Sequence, residues 1–147
     1  MVSALAAAHS LDILTPLKDV LRGRVLIDIG NAVDEQLNLI YTDSSLGSRL
    51  QDALPHTGVV KTLNTVAGPI AVAPNLLSAP TTVFLSGDDA AAKATVGGLL
   101  ADLGWTPEQQ ADLGGIDTAR AVEHYFLLFA ALMGSLRTQA FNLAITR

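Results

Sequence analysis

Amide side chains and glycines follow each predicted strand of this 147-residue chain, where they could hydrogen-bond to a ligand or allow it a close approach. They are Asn31, Asn64 with Thr65, Gly87 with Asp88, and Gly114 with Gly115. Parallel α/β sheets bind ligands outside the carboxyl ends of their strands, so we expect these residues to line one sheet edge. The alternative is that Asn and Gly stand there because they tolerate turns.

Two of the glycine segments have more specific interpretations. Gly114 and Gly115 either permit close backbone approach at a helix start, where N–H groups favour an anion, or form a tight turn. For Gly87 and the two residues after it, we favour a strand-to-helix turn in which Asp88 or Asp89 caps the helix.

Four charged residues lie within or beside these segments. Lys61 falls inside a strand pattern, where it either points into the cleft or lies on a sheet edge. Lys93 is expected to be a solvated helix residue. Arg120 and Glu123 lie in the first turns of the last helix, and we expect a surface ion pair that contributes little stability.

The sequence argues against several kinds of chemistry. The phosphate-binding patterns G-x-G-x-x-G and G-x-x-x-x-G-K are absent, as are cysteines and the serine-nucleophile pattern G-x-S-x-G. His9, His56 and His124 are scattered and lack the spacing of a zinc helix, so we expect no metal site. The net charge of −5 makes nucleic acid an improbable partner.

The composition indicates one domain covering residues 1–147, with a high apolar content of 50%. The longest strongly apolar run, residues 125–133, has about half of the ~20 residues that a membrane span needs. The alanine-rich start lacks the basic residues of a signal peptide. We therefore expect a cytoplasmic protein with no membrane contact, and either a large interior or a covering partner.

Alternating helices and strands are predicted from the apolar pattern, the prolines and the glycines. Strands are expected at residues 24–29, 58–63 and 81–86, with a short fourth strand within 105–113 and an irregular crossover at 64–80. Helices are expected at 11–21, from Ser44 or Ser45 to Pro55, from Asp88 or Asp89 to Gly104, and after a cap at Asp117. This alternation predicts an α/β fold with a mostly parallel sheet and flanking helices.

The last two predicted helices differ in their apolar pattern. Val96, Leu99, Leu100 and Leu103 recur at the spacing of a single buried face. The helix after Asp117 is apolar on nearly every side and is expected to be buried almost all round. Residues 134–147 either continue this helix or turn into a last apolar segment.

Taken together, four segments carry a family resemblance. They are D-I-G-N-A at 28–32, V-V-K-T-L-N-T at 59–65, F-L-S-G-D-D-A-A-A-K at 84–93 and D-L-G-G-I-D-T-A-R at 112–120. In this order they resemble the NADP oxidoreductase family that depends on the deazaflavin coenzyme F420. The same domain type resembles the cytosolic part of six-transmembrane metalloreductases. The match covers residues 17–120, with a looser similarity up to the end.

The resemblance implies a Rossmann-type fold that moves a hydride between NADP(H) and a deazaflavin or another flavin-like partner. Asn31, Ala32, Asn64 and Thr65 would then line the cofactor cleft, although Ala32 stands where the family usually has proline. Gly114 and Gly115 would close on the second cofactor. No side chain is expected to act as an obligatory acid or base, because hydride transfer needs mainly positioning of two rings.

The chain departs from the family at its beginning, where a strand, the glycine fingerprint and a helix would bind NADP phosphates. We expect a partial Rossmann-like sheet that corresponds to the C-terminal part of a family member. A shortened gene, a wrongly chosen start and a deliberate fragment all explain this equally. The second hypothesis is a non-catalytic α/β module for self-association or ligand binding. A homodimer is expected, because a sheet without its central strands leaves an open edge.

Overall fold

A computed structural model of the chain describes residues 1–146. In this range five strands form one sheet, in the spatial order β1-β2-β3-β4-β5. The strands are β1 (Val2–Ser3), β2 (Val25–Asp28), β3 (Gly58–Thr62), β4 (Val83–Ser86) and β5 (Gln110–Asp112). The α/β class predicted from the sequence is confirmed.

Helices connect these strands and cover both faces of the sheet. They are α1 (Ala7–Leu14), α2 (Lys18–Leu21), α3 (Leu46–Ala53), α4 (Gly68–Val72), α5 (Ala90–Asp102), α6 (Ala119–His124) and α7 (Phe126–Leu136). Pro16 lies in a 3₁₀ turn between α1 and α2, where a proline is tolerated because the regular helix is already interrupted. The predicted helix at residues 11–21 therefore exists, but it begins earlier, at Ala7.

The strands do not all run in the same direction. β1, β2 and β3 are mutually parallel, β4 is antiparallel to β3, and β5 is parallel to β4. The carboxyl ends of β2 and β3 therefore lie on the same side of the sheet, where the strands end. The carboxyl ends of β4 and β5 lie at the opposite end of the strands. We call these two sides the edges of the sheet. The expectation that all strand ends share one edge is wrong, because an apolar strand pattern carries no information about direction.

Two apolar clusters fill the two faces of the sheet. Neighbouring residues on β3 separate them: Val59 belongs to the cluster under α1 and α3, and Val60 to the cluster under α4 and α5. The same alternation holds on β2, where Leu26 and Ile27 point to opposite faces. The sheet is thus buried on both sides, as expected for its parallel strands.

Two segments contain structure that the sequence patterns did not predict. The alanine-rich start forms β1, whose partner is β2. The region expected to be an irregular crossover contains α4 and a 3₁₀ turn at Pro74–Leu76. These three elements are short, so none of them leaves a periodic apolar pattern.

The predicted burial of the last two long helices is partly wrong. On α5, Val96 and Leu100 are buried, but Leu99 and Leu103 are 48% and 36% exposed, because an open cavity lies beside them. All eleven residues of α7 are at least partly exposed, including Leu127 and Leu128. The expectation of a helix buried nearly all round is therefore wrong, because α7 packs over only part of its circumference.

The predicted end regions of this last helix also need correction. Asp117 does not cap it: a 3₁₀ turn at Ile116–Thr118 precedes α6, which begins without a side-chain cap. α7 ends at Leu136, so the helix does not continue through residues 137–146. The last residue of that predicted segment, Arg147, lies outside the described residues. In residues 1–146 there is no helix of the length and apolar character needed to cross a membrane.

Candidate functional site

A cavity of about 640 Å³ opens beside the carboxyl ends of β2 and β3. We call it the edge cavity. Most of its wall is apolar and comes from β1, β2, α4 and α5, with contributions from Val2, Ile27, Val72, Leu99 and Leu103. A volume of this size suits a small organic ligand, and pockets of this kind are typically apolar with a few polar groups that orient the ligand.

Asn31 and Asn64, which we call the amide pair, form the polar rim of the edge cavity. Asn31 Nδ2 donates to the Asn64 carbonyl oxygen over 2.7 Å. Asn64 Nδ2 donates to Asn31 Oδ1 and to the Val122 carbonyl oxygen, each over 2.9 Å. The two loops after β2 and β3 are therefore hydrogen-bonded to each other, and the loop after β3 is also hydrogen-bonded to α6. The structure brings together these two predicted site residues.

Thr62 supplies an unpaired polar group in the cavity wall. Its side chain is fully buried, and within the described part of the chain its Oγ1 has no hydrogen-bond partner. A buried hydroxyl left unpaired costs about 1–3 kcal/mol. Thr62 lines the edge cavity, and its hydroxyl, which is buried in the free chain, would gain a partner if ligand entry exposes it.

Leu63 connects Thr62 to the amide pair through an unusual backbone conformation. Its φ of 59° lies in the left-handed region, which costs a residue with a side chain about 1–2 kcal/mol. Such conformations persist where the surrounding structure imposes them, and they are concentrated at functional sites. The backbone therefore turns at Leu63, between Thr62 with its unpaired hydroxyl and Asn64.

On the face of β3 opposite to Thr62 lies a buried ionic cluster that we call the buried triad: Lys61, Asp28 and Glu123. Lys61 Nζ lies 2.7 Å from Asp28 Oδ2 and 2.8 Å from Glu123 Oε1, and it also donates to the Gly30 carbonyl oxygen. The three side chains are 0%, 1% and 3% exposed. The prediction that Lys61 points into a cleft or lies on a sheet edge is wrong.

Both carboxylates of the triad have further donors. Glu123 Oε2 accepts from the Leu46 N–H over 2.9 Å, and Oε1 accepts from the Gly47 N–H over 3.1 Å, at the N-terminus of α3. Backbone donors at a helix start lack partners within the helix and favour a negative charge. Asp28 Oδ1 accepts from the Gly30 N–H over 3.0 Å. Each buried charge is thus paired.

The predicted surface ion pair between Arg120 and Glu123 does not form. Glu123 is buried in the triad, and the Arg120 guanidinium donates to the Thr42 carbonyl oxygen over 2.8 Å. A signal for the triad was present in the sequence, since both β2 and β3 carry one charged residue in otherwise apolar runs, Asp28 and Lys61. Buried opposite charges on neighbouring strands are expected to pair.

Ala32 and Thr65 lie close to the amide pair in the sequence but are not part of the cavity wall. Both are 2% exposed, and Ala32 packs in the apolar cluster under α1 and α3. Their predicted contact with a cofactor stays a prediction. The polar residues that line the cavity beside its apolar wall include Asn31, Thr62 and Asn64.

Gly114 and Gly115 lie at the opposite sheet edge, where they form a turn against the loop after β4. The Gly87 N–H donates to the Gly114 carbonyl oxygen over 3.1 Å, and the φ of Gly114 is 102°, which favours glycine. Asp88 Oδ1 accepts from the N–H of Ile116. The tight-turn alternative describes this geometry, and a cofactor contact of these glycines stays a prediction.

Two further predictions concern the start of α5. Asp89 caps this helix, since its carboxylate accepts from the N–H groups of Ala91 and Ala92, as the sequence indicated. Lys93 is not simply solvated, because its Nζ lies 2.8 Å from Asp112 Oδ1 and its side chain is 15% exposed.

The chemistry of the edge cavity suits an uncharged ring and does not suit a phosphate. Its residues include no lysine or arginine, within the part of the chain that the structure describes, and the one charged residue among them is Asp102. Phosphates are bound by cations or by clustered backbone N–H groups. A flat ring with polar substituents could pack on the apolar wall and hydrogen-bond to the Thr62 hydroxyl.

A mostly parallel sheet with helices on both faces and a ligand-sized cavity at two strand ends defines a Rossmann-like α/β protein. No protein-family model matches the chain. A solved structure of a proposed F420-dependent NADP reductase from Arthrobacter sp. FB24 superposes with a TM-score of 0.94 and 38% identity, covering 99% of this chain and 68% of that one. The chain therefore belongs to the F420-dependent NADP oxidoreductase family.

A second solved structure supports the fold alone. It is a hypothetical protein from Sinorhizobium meliloti, with a TM-score of 0.63 and 23% identity. The match covers 80% of this chain and 58% of that protein. The two matches thus cover 68% and 58% of the two solved proteins.

Proposed function

We propose that this chain supplies the ring-binding part of an oxidoreductase that transfers a hydride between NADP(H) and a deazaflavin such as coenzyme F420. The observation that carries the proposal is the unpaired hydroxyl of Thr62 in an apolar cavity, beside the amide pair. The family to which the chain belongs supports the choice of NADP and a deazaflavin as the cofactors.

The residues of the edge cavity fit the rings of these cofactors. The nicotinamide and deazaflavin rings are flat and carry amide groups at their edges, and together they supply the hydride donor and acceptor. The apolar wall around Ile27 and Leu99 would pack against a ring face and keep water from it. The Thr62 hydroxyl and the amide pair orient the polar ring edge, so the chain contributes positioning and needs no acid or base.

The phosphates of NADP would be bound outside the edge cavity. Asp102 lies in its wall and would repel a phosphate. The cofactor roles predicted from the family for Ala32, Thr65, Gly114 and Gly115 remain part of the proposal. A cytoplasmic location also stays a prediction.

Ring binding is tested by titrating the full chain with a deazaflavin that carries no phosphate, using its fluorescence as the readout. We expect saturable binding that is about tenfold weaker in Thr62→Val, because the hydrogen bond to the ring is lost. Thr95→Val is the matched control, since Thr95 is exposed on α5 and its hydroxyl donates to the Ala91 carbonyl oxygen. Equal affinity of Thr62→Val and the wild-type chain would contradict the assignment of Thr62.

Cofactor turnover is a separate test of the same proposal. NADPH is added to the chain with and without the deazaflavin, and NADPH oxidation is followed by absorbance. Binding and oxidation together would support a competent reductase. The absence of any NADPH binding at about millimolar concentration would show that the chain alone is no reductase.

We propose self-association as a second function, because α7 exposes apolar side chains. Leu127, Leu128 and Leu136 are 51%, 51% and 52% exposed on this helix. Large apolar side chains exposed on a helix are a surface that a partner could cover, and a homodimer is the simplest assembly. Sedimentation velocity should show a dimer that Leu128→Lys dissociates. A wild-type chain that is monomeric at all concentrations would contradict this proposal.

A further inference from the structure

We propose that Lys61 is a positioning residue that sets the geometry of the amide pair at the edge cavity. Lys61 lies on the face of β3 opposite to Thr62 and does not line the cavity. It acts through the two segments on which the side chains of Asn31 and Asn64 depend. The consequence for cofactor binding rests on the proposed function, whereas the positioning itself does not.

The first segment is the turn after β2, which carries Asn31. Lys61 Nζ donates to the carbonyl oxygen of Gly30, the residue directly before Asn31. Asp28, which also binds Lys61, accepts from the N–H of the same glycine. Both polar backbone groups of Gly30 are therefore held by the buried triad, and this fixes the backbone from which the Asn31 side chain extends.

The second segment is the part of α6 that holds Asn64. The Asn64 Nδ2 group donates to the carbonyl oxygen of Val122, and the next residue is Glu123. The Glu123 carboxylate is held by Lys61 and by backbone N–H groups at the start of α3. The ammonium group thus links the anchor of Asn64 to the turn that carries Asn31.

A purely structural role is the competing explanation, and Lys93 offers a control for it. Lys93 also joins an aspartate and a glycine carbonyl oxygen, those of Asp112 and Gly114. This contact lies at the opposite sheet edge. If Lys61 served stability alone, changes in either lysine would leave the amide pair unaltered in molecules that remain folded.

The test uses the ligand-free full chain labelled with ¹⁵N, with the side-chain NH₂ signals of Asn31 and Asn64 as the readout. Asp28→Asn should shift the Asn31 signals most, since this change acts on the turn after β2. Glu123→Gln should shift the Asn64 signals most. Lys93→Met should leave both asparagines unchanged. A crossed pattern of this kind does not follow from a uniform loss of stability.

Lys61→Met should change both asparagines together and accelerate the exchange of their side-chain protons about tenfold. If Lys61→Met does not fold, Asp28→Asn and Glu123→Gln decide the test. Each of these two variants removes one charge and preserves the side-chain shape. The proposal is overturned if both asparagines keep their wild-type signals in the folded variants. It is also overturned if Lys93→Met shifts them equally.

Deazaflavin titrations of the same variants connect positioning to binding. Weaker binding in Asp28→Asn and Glu123→Gln, with Lys93→Met unchanged, would extend the positioning role to the cofactor. If the wild-type chain binds no deazaflavin, the proposed function fails while the ligand-free spectra still decide the positioning of the amide pair. The two proposals can therefore fail independently.

Discussion

Two lysine contacts at opposite edges of the sheet use the same local arrangement. Lys61 Nζ binds Asp28 and the carbonyl oxygen of Gly30, whereas Lys93 Nζ binds Asp112 and the carbonyl oxygen of Gly114. In each case the aspartate side chain also accepts from the N–H of that glycine. A short D-x-G turn after a strand thus offers a lysine two oxygens at once.

The two contacts differ in burial and in their number of partners. The side chains of Lys61 and Asp28 are 0% and 1% exposed, and Glu123 adds a second carboxylate. The side chains of Lys93 and Asp112 are 15% and 58% exposed. Water can replace a lost partner at the Lys93 contact but not in the triad. The same arrangement should therefore contribute very different amounts to the free energy of unfolding at the two edges.

The largest difference is expected from removing each ammonium group. Lys61→Met should lower the free energy of unfolding by about 3–5 kcal/mol, because two buried carboxylates lose their cation. Lys93→Met should cost less than about 1 kcal/mol, because its contact is partly solvated. Urea denaturation followed by circular dichroism measures both. Equal losses in the two variants would refute the argument from burial.

Removing one carboxylate charge at each edge should give a smaller difference. Glu123→Gln should cost about 1.5–3 kcal/mol, since it weakens charged hydrogen bonds from Lys61 and from the start of α3. Asp112→Asn should cost less than about 1 kcal/mol. Thermal unfolding of the two variants at neutral pH provides the measurement. A loss in Asp112→Asn as large as that in Glu123→Gln would show that the two edges are energetically alike.

The sequence was sufficient to predict the α/β class and the meeting of Asn31 with Asn64, because both follow parallel strands that end at one edge. It could not place Gly114 with them, since the direction of β4 depends on how the connection after β3 packs. It contained a signal for the pairing of Lys61 with Asp28 but none for Glu123, the second carboxylate partner. Glu123 is distant in the sequence, and only the docking of α6 beside α3 brings it to the lysine.

Two threonines test whether the edge cavity differs from the opposite edge in its hydrogen bonding. Thr62→Val should raise the free energy of unfolding by about 1 kcal/mol, because it removes an unpaired buried hydroxyl. Thr118→Val should lower it by about 1 kcal/mol, because the Thr118 hydroxyl bonds to Ser86 Oγ and to the Gly115 carbonyl oxygen.

Urea denaturation of both threonine variants without ligand shows whether each change raises or lowers the free energy of unfolding. A destabilised Thr62→Val would mean that its hydroxyl already has a partner in the free chain. The combination of higher stability and weaker deazaflavin binding in Thr62→Val would instead identify a residue retained for binding at the expense of stability. The Thr118→Val variant should not show this combination.

The smallest expected effect is the pH dependence of stability at the edge that carries Lys93 and Asp112. Partial burial alone would raise the pKa of Asp112, but hydrogen bonds from Lys93 and the Gly114 N–H, together with the lysine charge, hold this pKa below its ordinary value of 3.8. A carboxyl whose pKa is lowered by folding stabilises the folded state above the unfolded-state pKa. This stabilisation is lost as the pH falls through the lowered, folded-state pKa.

The contribution of Asp112 should be below about 1 kcal/mol, because the side chain is largely solvated. The difference in unfolding free energy between the wild-type chain and Asp112→Asn should therefore be present at neutral pH and shrink below about pH 4. Lys93→Met should reduce this pH dependence, since it removes the main source of the lowered pKa. If the difference in unfolding free energy between the wild-type chain and Asp112→Asn stays constant from neutral to acidic pH, the contact between Lys93 and Asp112 does not depend on the charge of Asp112.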